Sequence, residues 1–67
     1  MAEERVSVLQ KARERLVEDR RKMAVELCKP YARNTTRPAM EKFVELQNTI
    51  EAIDRAIEDE EKSSSDN

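Results

Sequence analysis

Between Ala39 and Ile57 the apolar residues fall at Ala39, Phe43, Leu46, Ile50, Ile53 and Ile57, separated by four, three, four, three and four positions. That spacing is an unbroken heptad seam, with Phe43, Ile50 and Ile57 at position a and Ala39, Leu46 and Ile53 at d. A strand would need a period of two, which this stretch does not have. The pattern predicts an amphipathic helix from about residue 37 to 61 that requires another helix along its face.

A second helical pattern covers about residues 3–29. Val6, Leu9, Leu16, Met23 and Leu27 share one face, and Ala12, Val17, Ala24 and Cys28 widen it. Set in heptads, Leu9, Leu16 and Met23 occupy d, while Arg13 and Arg20 interrupt the a column between Val6 and Leu27. Cys28, at the margin of the stripe, reads as a small buried hydrophobe, whereas Val8 and Val25 point away from it. Residues 1–4 read as a frayed start.

Pro30 ends or kinks the first helix, because it lacks an amide and pushes Lys29 out of the helical region. Residues 30–36 form the connection, with Asn34, Thr35 and Thr36 at its turn-prone centre. Thr35 or Thr36 caps the second helix, and Pro38 fits in its first turn, where a missing amide costs nothing. Residues 63–67 read as a disordered tail, so the helical domain spans 1–62.

A short connection between two long helices predicts an all-α, antiparallel hairpin. Matching the apolar positions across the turn makes the numbers of facing residues sum to about 67. Leu9 then faces Ile57, Leu16 faces Ile50, Met23 faces Phe43 and Val44, and Leu27 faces Met40. The same register sets Arg13 across from Asp54 and Arg20 across from Gln47, which suggests polar pairs that fix register at some cost in stability. The alternative for both arginines is that their stems line the core edge and their heads reach water. Leu9, Leu16, Met23, Leu27, Phe43, Leu46, Ile50, Ile53 and Ile57 form the expected core.

Composition bears on whether the hairpin stands alone. Below roughly 70–80 residues a single core seldom supplies more than a few kcal/mol. This chain of 67 residues has one Cys and no His, so neither an internal disulfide nor a structural zinc set is available. Oligomerisation is the remaining support. The first helix's broad face also exceeds what one neighbour covers, and the expectation is a homodimer forming a four-helix bundle.

Charge is uneven. From Arg5 to Arg37 there are ten Lys/Arg against four Asp/Glu, and from Pro38 to Asn67 three against nine. One reading is a basic helix lying against an acidic one. The other is a nucleic-acid surface built from Arg15, Arg21, Lys22, Lys29, Arg33 and Arg37, with Tyr31 as a stacking ring. The overall charge of −2 and the 3% aromatic content weigh against the second.

Without Gly or His there is no phosphate-cradling loop, no dinucleotide fingerprint and no imidazole base. No catalytic, cofactor-binding or metal-binding residue is expected. No apolar run approaches the ~20 residues of a membrane span. The sequence therefore predicts a small, non-enzymatic, cytoplasmic module that binds itself and another protein. Nucleic acid is the alternative partner, and no membrane association is expected.

Overall fold

A computed structural model describes residues 2–65 as two helices, α1 (Ala2–Cys28) and α2 (Thr36–Ser65), folded into an antiparallel hairpin. The helices make extensive contact along their length. The molecule is a rod of 53 × 14 × 13 Å. Its Cα radius of gyration of 15.5 Å compares with ~11 Å for a compact globule of this length.

The helices begin and end for local reasons. Glu3 and Glu4 lie in the first turn of α1, where the helix dipole favours anions. The acidic start is therefore helical and not frayed from Ala2 onward; Met1 lies outside the described residues. At the other end Pro30 has no N–H to give the Glu26 carbonyl. The amide of Lys29 bonds that carbonyl instead, at 3.2 Å, and the helix stops.

This glycine-free chain reverses without the left-handed conformation, which even Asn34 does not adopt: no described residue has a positive φ. Two threonines and the backbone of Ala32 make the turn. The amides of Thr35 and Thr36 both donate to the Ala32 carbonyl, at 3.0 and 2.8 Å. The Ala32 amide in turn donates to the Thr36 hydroxyl at 2.9 Å, and the Thr35 hydroxyl donates back to the Ala32 carbonyl at 3.4 Å. Thr36 is buried, the only buried polar side chain among the described residues.

Thr35 holds the N-cap position, and its carbonyl accepts from Ala39. Its hydroxyl has no amide to cap at the third helical position, because Pro38 sits there. The proline leaves one fewer orphaned donor, which is why a side-chain cap is dispensable here.

α2 continues past Glu61 through Ser65, so the tail expected from Ser63 is helical for three residues; Asp66 and Asn67 lie outside the described residues. No Gly or Pro stops it, serine costs only about 0.5 kcal/mol relative to alanine in a helix, and Lys62 complements the dipole of the last turn.

The core is thin. Among the described residues only Ala39, Leu46 and Ile50 are buried apolar residues, and Ile50 alone is essentially dry, at 2% exposure. Leu9, Leu16, Met23, Leu27, Phe43, Ile53 and Ile57 are all half-buried. Met40 and Val44, expected to lie across from Leu27 and Met23, are 52% and 57% exposed. Val44 falls at b, on the outer flank of α2, and Met40 at e, on the rim of the seam, where its side chain stays open to water. Val8 and Val25 lie outside the stripe and are exposed.

Truncating Ile50→Ala should destabilise the fold by about 2–4 kcal/mol, and Thr36→Val by about 1–2 kcal/mol through the unsatisfied Ala32 amide. Val25→Ala should stay within about 0.5 kcal/mol of the parent. Urea unfolding followed by circular dichroism measures all three.

Candidate functional site

One edge of the hairpin carries a row of polar rungs between the helices. Arg13 Nε donates to Asp54 Oδ1 at 2.6 Å, and one heptad on Arg20 donates to Gln47 Oε1, also at 2.6 Å. The residue numbers of each pair sum to 67, the register of the apolar seam. Gln47 passes the chain of bonds onward, donating through Nε2 to Glu51 at 3.1 Å. Asp54 and Gln47 occupy successive e positions of α2, and Arg13 and Arg20 successive a positions of α1.

Both side chains of the Arg13–Asp54 pair are partly open to water, at 43% and 47% exposure. The arginine stems therefore line the edge of the seam while the heads meet partners at its rim. Pairs this open contribute ~1 kcal/mol or less. Nearer the chain ends, Arg5 approaches Glu60 at 3.8 Å, a contact the apolar register alone did not single out.

The proposed basic surface is divided. Arg15 pairs with Asp19 at 3.6 Å, Arg21 with Glu18 at 2.7 Å, and Lys29 with Glu26 at 2.9 Å. All three acidic partners lie on α1, three or four positions from their bases, a spacing visible in the sequence; Lys29 itself stands just beyond the helix. Lys22, Arg33 and Arg37 make no ion pair among the described residues. Arg33 and Arg37 stand at the turn, where Tyr31 is 68% exposed.

Cys28 is exposed, not buried. It lies one position beyond Leu27, outside the a–d seam, where α2 does not cover it. An open depression near the chain ends is lined by Glu4, Arg5, Val8, Leu9 and Glu60, and a second runs along α1 between Arg13 and Arg21. Neither encloses a ligand-sized interior. Among the described residues no group of His, Cys, Asp or Glu is arranged to hold a metal ion. No described helix is long and apolar enough to cross a membrane.

Together these features define a small all-α hairpin whose chemistry lies along its surfaces: a half-covered apolar seam, a polar edge and a basic turn. No protein-family model, curated protein or solved structure matches the chain.

A double-mutant cycle on Arg13→Ala and Asp54→Ala should give a coupling of about 0.5–1 kcal/mol that shrinks markedly in 1 M salt. The equivalent cycle on Arg20 and Gln47, where one partner is neutral, should be far less sensitive to salt. Equal salt dependence of the two couplings would contradict the geometry.

Proposed function

We propose that this chain is a small, non-enzymatic protein–protein interaction module that works as a homodimeric helical bundle, serving as an adaptor, regulator or assembly component. The observation that carries the reading is the unfinished core. A compact chain of 7.8 kDa exposes ~4,400 Å² of surface, whereas this one exposes 5508 Å². The surplus of roughly 1,100 Å² exceeds the ~800 Å² that each partner contributes to a standard interface. Much of the seam, including Leu16, Met23, Phe43 and Ile53, stays half-open to water, and a second hairpin laid against it closes the bundle.

The polar rungs support this reading through specificity. A hairpin slipped by one heptad in one direction faces Arg20 with Met40 and Asp54 with Val6. Those mismatches penalise this slip, whereas the opposite one faces Arg20 with Asp54 and is disfavoured instead where Leu27 meets Gln47.

Nucleic-acid binding is the second reading, favoured by Arg33, Arg37 and Tyr31 at the turn. Three of the six basic candidates are already neutralised by neighbours on the chain, and the net charge is −2. Too little unpaired positive charge remains for a phosphate-tracking surface.

Sedimentation equilibrium across a micromolar concentration series should show a reversible dimer; a folded, cooperatively melting monomer throughout would defeat the proposal. Gel-shift assays at low salt should show no retardation of RNA or duplex DNA. Strong retardation that fades steeply with added salt would instead establish the second reading.

A further inference from the structure

The hairpin is polarised along its length. Residues 20–46, at the turn end, carry seven Lys/Arg against three Asp/Glu, a local charge of +4. At the opposite end, residues 3–10 and 57–63 carry two Lys/Arg against six Asp/Glu, a local charge of −4. The intervening segments are close to neutral. The antiparallel fold produces these poles, because it gathers Lys29, Arg33 and Arg37 at one tip and brings Glu3 and Glu4 beside the run Glu58–Glu61 at the other.

Resting on the homodimer reading above, we infer that the second copy lies antiparallel to the first, with the basic turn of each hairpin beside the acidic end of the other. Two side-by-side arrangements satisfy a two-fold axis. One has its axis along the rod and sets both turns together. The other has its axis across the rod and sets turn against chain ends. Both cover apolar seam, so apolar burial alone does not choose between them. Charge does. The parallel arrangement brings +4 next to +4 and −4 next to −4, while the antiparallel arrangement pairs opposite signs at both ends. Like-charge juxtaposition is the stronger discriminator, since it excludes the wrong partner geometry even where each rim pair is weak.

The basic pole is available for this role, because Arg33 and Arg37 are exposed and make no ion pair among the described residues. The acidic pole gains from it as well. Glu58, Asp59, Glu60 and Glu61 lie toward the C-terminal end of α2, where the helix dipole disfavours anions. A neighbouring basic turn offsets that repulsion.

The only cysteine reports on the arrangement directly. Cys28 is exposed and lies near the turn, about 13 residues from the middle of α1, hence ~20 Å along the rod at 1.5 Å per residue. A nitroxide on Cys28 of the otherwise unaltered chain therefore reads ~40 Å between copies in the antiparallel dimer and ~20 Å or less in the parallel one. Pulsed dipolar spectroscopy should give a single long distance. A short distance, or a mixture of short and long, overturns the orientation while leaving the dimer intact. Absence of dipolar coupling together with a monomer by sedimentation overturns the homodimer reading beneath it.

Arg33→Glu combined with Arg37→Glu gives an independent measure. Both residues are exposed, and a glutamate at position 37 suits the first turn of α2. This variant should weaken dimerisation by roughly tenfold at low ionic strength, with the effect fading as salt is added. Tighter association would mean that the turns repel one another in the parent and would overturn the proposal.

Discussion

Two helices side by side cannot enclose a volume. Each has one neighbour, so only residues aimed directly at that neighbour leave water, and the a and d columns are half-wetted from above and below the plane of the pair. This constraint explains why a seam of such regular spacing yields three buried apolar residues and one essentially dry side chain, Ile50. It also accounts for the gradient around α2, where d and a are buried or half-buried while Met40 and Val44, one step further round, stand open. Burying a leucine- or isoleucine-sized side chain fully is worth about 1.5–3 kcal/mol, and most residues of this seam realise only part of that. The half-open seam thus follows from geometry before any question of sequence arises.

The polar rungs have to be understood within the same constraint. In a closed core, two arginines in the a column would be costly, because desolvating a guanidinium is repaid only by excellent pairing. At the rim of a two-helix seam they keep contact with water and need only modest partners. Asp54 and Gln47 suffice for that. The arrangement gives little stability but ties α1 to α2 at two points one heptad apart, and these two points favour the observed register over the slip that would face Arg20 with Met40. An apolar seam of repeating leucine and isoleucine defines neither sharply, since it looks much the same after a shift of seven residues. Specificity here comes from the weaker interactions, and stability from the stronger but less discriminating ones.

Much of this architecture was legible because it depends on period and punctuation. The four–three spacing names the helices, Pro30 marks where the first must stop, and the common sum of facing residue numbers pairs Arg13 with Asp54 and Arg20 with Gln47. Features set by a single local competition were harder to read. Either threonine at 35 and 36 suits an N-cap. The choice between them turns on Pro38 at the third helical position, and both hydroxyls turn instead to Ala32, that of Thr36 accepting from its amide and that of Thr35 donating to its carbonyl. Serines 63–65 look like a tail by composition, yet helix propagation costs so little there that α2 runs on. Cys28 fits the apolar stripe by spacing, but a stripe wider than one neighbour leaves its margin exposed. The local partners of Arg15, Arg21 and Lys29 were available from spacing alone; charge totals by segment obscure them, because a total does not show which charges neutralise one another.

The distribution of charge that survives this local pairing is where the fold adds something the linear sequence lacks. Along the chain, the acidic residues Glu3 and Glu4 and the run Glu58–Glu61 are more than fifty positions apart. Folding into a hairpin makes them neighbours, so two modest local excesses become one pole. The turn acts oppositely, gathering Arg33 and Arg37, neither in an ion pair among the described residues, beside Lys29, which Glu26 already meets. Each pole holds a local ion pair, Arg5–Glu60 at one end and Lys29–Glu26 at the other, but the two poles do not neutralise each other, because the antiparallel fold places them at opposite ends of a 53 Å rod, many times the ~8 Å Debye length at physiological ionic strength. Charges so far apart cannot stabilise each other inside one molecule. They contribute little to the folding of the single chain and become significant only when another surface approaches, so the feature that contributes least to the hairpin is the one best able to orient the second copy proposed above.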